Sequence, residues 1–111
     1  LRLVISDDNN ALGFIDLFDY DFINRRVGVG IIIFEKYRMK GIASKSLELI
    51  EDYLTKHVPI HQLYANITSN NSESISLFEK NSYEKVGLKK DWIYYNNMFC
   101  DELLYQKIIK K

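Results

Sequence analysis

One short segment of the sequence carries residue types suited to holding a phosphate group. Arg38, Lys40 and Gly41 lie within the run Tyr37-Arg38-Met39-Lys40-Gly41-Ile42-Ala43-Ser44, which fits the pattern Arg/Gln-x-x-Gly-x-Gly/Ala. The two cations supply positive charge, Ser44 offers a hydroxyl, and glycine lets the backbone approach a phosphate where a Cβ atom would obstruct it. Average residue usage produces this pattern at about one position in a thousand, so the pattern alone is weak evidence.

The elements on either side of this segment strengthen the interpretation. Residues 27–34 form an almost uninterrupted apolar run, typical of a central strand buried on both faces. From Gly41 onward the apolar period is helical, with Ala43, Leu47, Ile50 and Leu54 at steps of four, three and four. The first N–H groups of such a helix are unpaired and lie at its positive end, which favours bound anions. An ordinary strand-to-helix turn with two solvated cations is the alternative.

The remaining segments complete a single α+β domain. The first helix ends before Pro59, and the order strand, helix, strand predicts a right-handed crossover with parallel or mixed pairing. Asn70, with Glu73 three residues later, resembles a capping box that begins a second helix running to about residue 81. Turns are predicted at residues 7–10 and 96–97, which are rich in Asp and Asn. Further strands are predicted at residues 2–6, 11–20, 62–67, 83–90, 92–95 and 98–109.

Length and composition limit the function classes. The 111 residues fit one domain, and 47% of them are hydrophobic, enough for a core. Fifteen Lys and Arg against fifteen Asp and Glu argue against a nucleic-acid partner, and no apolar run reaches the roughly 20 residues of a membrane span. The lone Cys100 cannot form an intrachain disulfide, and no signal segment precedes the first strand, so a cytoplasmic protein is expected.

Taken together, residues 30–34, 37–44 and 71–83 resemble the GNAT superfamily of N-acetyltransferases. The runs Ala11-Leu12-Gly13-Phe14-Ile15 and Asn24-Arg25-Arg26 are similar to those of spermidine N-acetyltransferases and ribosomal-protein alanine acetyltransferases, so the likeness covers nearly all of the chain. It implies a GNAT-like fold, a central mixed twisted sheet of about six strands with two helices. It also implies that acetyl-CoA, without a metal, is the co-substrate from which an acetyl group passes to a primary amine by direct attack.

The resemblance also implies which residues hold acetyl-CoA. In the family the backbone of the central strand hydrogen-bonds the pantetheine arm, and here those positions are Ile31, Ile32 and Ile33. The loop residues that would hold the pyrophosphate are Arg38, Met39, Lys40, Gly41, Ile42, Ala43 and Ser44. Asn71 falls where the family's second-helix asparagine meets the pantetheine arm, and Ser74 lies one helical turn further on. Helix capping by Asn71 and a solvated helix position for Ser74 are the alternatives.

The sequence departs from the family in its N-terminal segment and at the position of the general acid. Relatives usually begin with one more strand and two helices, so residues 1–111 are expected to form an N-terminally truncated domain. Many relatives carry a tyrosine, seven residues after the asparagine, that protonates the leaving thiolate; here that position is Phe78, which cannot donate a proton. Asp16, Asp19 and Tyr83 are general-base candidates by region only. The catalytic residues are therefore unassigned.

Three hypotheses remain open. The first is an N-acetyltransferase whose acceptor is a polyamine, a protein N-terminus or a small amine; an acidic pocket for a polyamine would draw on Asp16, Asp19, Asp21 and Glu102, although a solvated acidic edge explains these residues equally well. The second is a catalytically weak or inactive acyl-CoA-binding module. The third is a homo-oligomer in which the hairpin of residues 92–109, with its aromatic residues Trp92, Tyr94 and Phe99, pairs with a partner.

Overall fold

The computed structural model describes residues 1–109, which form one six-stranded mixed sheet with two helices, as predicted. The strands are β1 (Arg2–Ser6), β2 (Ala11–Asp21), β3 (Arg26–Ile33), β4 (Gln62–Thr68), β5 (Glu84–Tyr95) and β6 (Met98–Ile108), and the helices are α1 (Ile42–His57) and α2 (Ser72–Lys80). The strand order is β1-β2-β3-β4-β6-β5. Within these described residues, neither helix is long and apolar enough to cross a membrane.

Helix α1 is the crossover between β3 and β4, the only parallel neighbours among the described strands. Its apolar stripe of Leu47, Ile50 and Leu54 is buried, as the helical period predicts. That stripe joins residues of α2 and of one sheet face in a single core cluster, in which Leu63 and Tyr105 are almost fully buried. The helix ends at His57, two residues before Pro59, which cannot continue the backbone ladder.

The prediction that the central strand is buried on both faces is only half right. Val27 and Val29 point toward the helices and are 3% and 2% exposed, whereas Ile32, at an alternate position, is 48% exposed. Gly28 lies on that second face, where an added Cβ atom would be 2.3 Å from the Phe18 ring. The face away from the helices is therefore covered by side chains of the sheet itself, which do not reach the end of β3.

Two further predictions are wrong in detail. The capping box at Asn70 is displaced by one residue: Asn71 is the N-cap of α2, and its Oδ1 accepts a hydrogen bond from the Ser74 N–H at 3.1 Å. The separate strands expected at residues 83–90 and 92–95 are one strand, β5. Its pairing with β6 is irregular around Asp91, which has a left-handed φ of 52° and donates its N–H to Asp101 Oδ1 at 2.9 Å. A bulge thus interrupts the register without ending the strand.

The two turns predicted from Asp and Asn residues are confirmed. Asn96 and Asn97 join β5 to β6 with φ values of 52° and 60°, a conformation that asparagine tolerates better than most residues. Between β1 and β2, Asp7 Oδ1 accepts hydrogen bonds from the backbone N–H groups of Asn9 and Asn10. These local bonds fix the antiparallel β1–β2 pair at the edge of the sheet.

Candidate functional site

The parallel strands β3 and β4 separate shortly after they begin. Their ladder contains only the pairs Arg26–Gln62, Val27–Leu63 and Gly28–Tyr64, although β3 continues to Ile33 and β4 to Thr68. Beyond Gly28, the backbone groups that face β4 are outside this ladder. Such groups are a ready template for an extended ligand that carries amides, because the ligand can add to β3 as a further strand would.

The loop after β3 is held in a specific shape. Arg38 donates its Nε–H to the carbonyl of Ile33 at 2.9 Å, which ties the loop back to the end of the strand. Met39 and Gly41 both have left-handed backbones, with φ values of 65° and 77°. A left-handed non-glycine residue costs free energy, and such strain concentrates at functional sites. Met39 carries this cost, whereas Gly41 adopts its left-handed φ without a penalty, and no non-glycine residue of the turn before α2 (residues 69–71) has a left-handed φ.

Gly41 is the N-cap of α1, and no side chain caps that helix end. The N–H of Lys45 is bonded to the carbonyl of Gly41, so the first amides of the helix, those of Ile42 to Ser44, precede the helical ladder. A Cβ atom added at Gly41 would meet no protein atom within 4 Å. The helix start is therefore open on the side where an anion would approach its amides and its positive end.

These features line a single cleft of about 840 Å³, a volume within the range of about 300 to 1,000 Å³ that is usual for ligand sites. All residues predicted for acetyl-CoA line it except Lys40, which is exposed outside it. Asn71 and Ser74 reach it from α2, so Asn71 caps the helix and lines the cleft at the same time. The cleft thus has β3, the loop, the start of α1 and one face of α2 as its walls.

Sequence reasoning missed several residues of this cleft. Leu77 and Lys80 line it from α2, whereas Tyr37, which also lines it, belongs to the loop of residues 37–44 that the sequence indicated. The helical period contains this information, because Ser74, Leu77 and Lys80 follow one another at steps of three along one face. Together with Arg38, Lys80 gives the cleft two cationic side chains, against the carboxylate of Glu73.

The three general-base candidates do not line this cleft. Asp16 is ion-paired with Arg2 at 2.8 Å on the first two strands, and this bond lowers the pKa of its carboxyl group. Asp19 occupies a left-handed position near the end of β2. Tyr83 is 5% exposed, and burial, followed by the nearby carboxylate of Glu51, raises the pKa of its hydroxyl well above the ordinary value.

Phe78, at the position where relatives carry the acid, is a core residue. Its side chain is 3% exposed and packs edge-on against Tyr83, with ring centroids 4.8 Å apart. It belongs to the core cluster and does not line the cleft. Aromatic pairs of this kind stabilise a core beyond the area they bury, so the ring has a packing role.

The acidic residues considered for a polyamine pocket are not brought together. Asp16, Asp19 and Asp21 lie on β2 and Glu102 lies on β6, with β3 and β4 between them. Asp21 is 3.4 Å from Arg26, and Glu102 is 3.7 Å from Lys89, so Asp16, Asp21 and Glu102 each have a cationic neighbour. Among the described residues, no group of three or more His, Cys, Asp or Glu side chains is placed to hold a metal ion.

Residues 1–84 match the family model described as "Acetyltransferase (GNAT) domain". The SPbeta prophage-derived uncharacterized N-acetyltransferase YokL of Bacillus subtilis (strain 168) is 27% identical over 103 residues, which are 93% of this chain and 58% of YokL. Spermidine N(1)-acetyltransferase of Escherichia coli (strain K12) is 27% identical over 86 residues, 78% of this chain and 46% of that protein. The chain therefore spans about half the length of the curated relatives it matches.

Two solved structures have the same fold. RimL, a ribosomal alpha-N-protein acetyltransferase in complex with coenzyme A, superposes with a TM-score of 0.92 at 22% identity, over 97% of this chain and 61% of its own. The spermidine/spermine N-acetyltransferase SpeG from Vibrio cholerae, in complex with manganese ions, gives a TM-score of 0.89 at 22% identity, over 96% of this chain and 64% of its own. These likenesses show a shared fold of six strands and two helices.

Proposed function

The chain belongs to the GNAT acetyltransferase family, and from that premise we propose that it moves an acetyl group from acetyl-CoA to a primary amine by direct attack. The observation that carries the proposal is the 840 Å³ cleft, where a diverging strand pair meets a strained loop and an uncapped helix start. The free edge of β3 matches the amide-bearing arm of acetyl-CoA. The loop matches its pyrophosphate, and the uncapped start of α1 matches the negative charge of that group.

Within this cleft the residues proposed to hold the donor have distinct tasks. The free edge of β3 at Ile31, Ile32 and Ile33 bonds the pantetheine arm, and the segment from Arg38 to Ser44 holds the pyrophosphate. Asn71 and Ser74 contact the arm from α2. Because these groups are placed before the ligand arrives, they align the thioester without reorganisation, and such positioning supplies about 7 to 11 kcal/mol in well-oriented reactions.

The chemical step requires little from ionisable side chains. Backbone N–H groups of β3 that face β4 would polarise the thioester carbonyl, as an oxyanion hole does. The attacking amine would lose its proton to water or to a base outside the residues named here. A general acid typically contributes about 10² to 10⁴ in rate, so a buried phenylalanine at the acid position slows transfer without abolishing it.

Primary amines are the acceptors to test first. The similar proteins include a spermidine N(1)-acetyltransferase and a ribosomal alpha-N-protein acetyltransferase, so we propose a polyamine or a protein N-terminus as the acceptor. A small amine is the third acceptor class in the proposal. Asp16 and Asp21 on β2 lie apart from Glu102 on β6, and each of the three has a cationic neighbour, which weakens the case for a polyamine site built from them.

Titration calorimetry with acetyl-CoA, followed by a thiol assay for released CoA, tests the proposal. We expect saturable binding, and thiol release that depends on spermidine, an N-terminal peptide or a small amine. No heat and no competition at millimolar ligand would overturn it. Binding with no thiol release for any acceptor would instead indicate an acyl-CoA-binding module, an alternative that relatives named as N-acetyltransferases do not favour.

Self-association, a cytoplasmic location and metal-free chemistry remain parts of the same proposal. Self-association is supported by the β5–β6 hairpin, where Trp92, Tyr94 and Phe99 are 60%, 63% and 60% exposed. Aromatic side chains grouped on a surface in this way are typical of an interface with another chain. Light scattering on the purified chain is expected to give at least the dimer mass, and a monomer at micromolar concentration would contradict this part.

A further inference from the structure

A hydrogen-bonded pair joins the start of α1 to the end of α2. Ser44 is the third residue of α1, and Asn81, the C-cap of α2, lies 37 residues later in the sequence. The Nδ2 group of Asn81 donates to Ser44 Oγ at 3.1 Å and to the Leu77 carbonyl at 2.9 Å. Both hydrogen bonds are partly buried. The Asn81–Ser44 bond thus holds α1 and α2 together, and these helices are two walls of the cleft proposed to bind the acetyl donor (the donor cleft).

The Leu77 carbonyl decides the orientation of the Asn81 amide. A carbonyl oxygen only accepts hydrogen bonds, so the amide nitrogen of Asn81, and not its oxygen, must face it. One N–H of this amide group donates to the Leu77 carbonyl, so the other N–H donates to Ser44 Oγ. The hydroxyl oxygen of Ser44 is therefore an acceptor in this pair, and the hydroxyl proton is not needed for it.

The proton of Ser44 has no good partner within the pair. The acceptor that Asn81 offers, its Oδ1, is 3.4 Å from Ser44 Oγ, whereas O–H···O bonds are normally about 2.5 to 3.0 Å long. Ser44 lines the donor cleft, and Asn81 does not. A phosphate oxygen is a charged acceptor that forms a shorter and stronger bond, so the hydroxyl can turn toward it while the Asn81 N–H stays in place.

We infer that Asn81 is a positioning residue for the phosphate end of the donor cleft: it occupies the acceptor side of the Ser44 hydroxyl, so that Ser44 donates its proton to the pyrophosphate. The inference rests on the proposed function and deepens it, because it assigns a task to a residue outside the cleft. It also gives the contact between α1 and α2 a role in donor affinity.

The test is a double-mutant cycle on coenzyme A binding, measured by calorimetry on Ser44→Ala, Asn81→Ala and the double variant. We expect each single change to weaken binding about tenfold, the effect of losing one bond to a charged group. The double variant should bind as weakly as Ser44→Ala alone, because both changes remove one interaction. Ser46→Ala is the matched control: its Oγ donates to Ile42 O in the same helix, and Ser46 does not line the cleft.

A second substitution separates positioning from helix capping. Asn81→Asp keeps the size of the side chain but supplies no N–H, so the carboxylate would accept the Ser44 proton and repel the phosphate. We expect this variant to bind coenzyme A more weakly than Asn81→Ala does. The rate with acetyl-pantetheine, a donor without pyrophosphate, should be the same for Asn81→Ala as for wild type, whereas a merely structural role would lower it too.

The outcomes distinguish this inference from the proposed function. If the wild-type chain does not bind coenzyme A, the proposed function fails. If the wild type binds and Asn81→Ala and Asn81→Asp bind within twofold of it, only the role of Asn81 is refuted. Additive losses in the double variant would equally overturn the inference, since Asn81 would then act independently of Ser44. Circular dichroism on every variant identifies one that has not folded, and Asn81→Asp then carries the comparison.

Discussion

Replacing Gly41 with valine separates the two tasks that this residue has in the donor loop. Gly41 combines a φ of 77° with an N-cap position, and a Cβ atom there would contact no protein atom within 4 Å. The stability cost therefore comes from the backbone alone. For an L-residue in the left-handed region this cost is about 1 to 2 kcal/mol, and a β-branched side chain lies at the upper end.

The effect on donor binding has a different origin. The valine side chain would occupy the space in front of the first α1 amides, where the proposed pyrophosphate lies. We expect coenzyme A affinity to fall at least tenfold, which corresponds to about 1.4 kcal/mol or more of binding free energy. Urea denaturation measures the first effect and titration calorimetry measures the second, on the same protein sample.

Two further variants make this experiment decisive. Gly41→Asn tolerates the left-handed backbone, so it should lose less stability than Gly41→Val while still weakening coenzyme A binding. Gly87→Ala on β5 is the matched glycine control, because its new Cβ atom would lie 3.7 Å from the Leu104 Cβ, an ordinary contact, and Gly87 does not line the cleft. A folded Gly41→Val that binds coenzyme A as tightly as wild type would refute the assignment of the loop.

Three other predictions concern the loop, the core and the response to pH. Arg38→Lys keeps the charge but loses the directed Nε–H bond to Ile33, so coenzyme A should bind about fivefold more weakly by calorimetry; unchanged affinity would contradict a role for that bond. Phe78→Ala should lower the free energy of unfolding by about 3 to 5 kcal/mol in urea, against less than about 0.5 kcal/mol for the exposed control Phe22→Ala, and a loss as small as the control's would exclude a core role. Burial raises the pKa of Tyr83 in the folded state, so its stabilising effect is complete below about pH 10, its ordinary pKa, and is lost as pH rises further. Urea denaturation from pH 8 to 11 should therefore show a steeper decline for wild type than for Tyr83→Phe; parallel declines would disprove this.

The parts of the site that lie close together in sequence could be predicted, because a local period or pattern defines them. The apolar run of β3, the Arg38-to-Ser44 loop and the stripe of α1 all belong to one stretch of chain, and the structure has a strand, a loop and a helix there in the predicted order. The contact between Ser44 and Asn81 joins residues 37 positions apart, and no local pattern indicates it. It follows only from how α1 and α2 pack.

The errors have equally local physical causes. Asn70 and Asn71 are both good N-cap residues, and only the backbone angles at that turn decide which side chain faces the first amides of α2. Asp91 falls between the strands predicted at residues 83–90 and 92–95, yet its N–H bond to Asp101 carries one strand through a bulge. Ile32 lies in the apolar run that predicts a strand buried on both faces, but one face of β3 loses its cover near the end of the strand.

The short β3–β4 ladder has a mechanical consequence. The sheet consists of two antiparallel three-stranded halves, β1-β2-β3 and β4-β6-β5, and only three residue pairs join them in the ladder. A ligand that bonds along the free edge of β3 and touches α2 lies across this seam and extends it. The proposed ligand acetyl-CoA would therefore stabilise the contact between the two halves as well as react. Loss of the acetyl group alone would leave this contact stabilised until the thiol product, coenzyme A, dissociates.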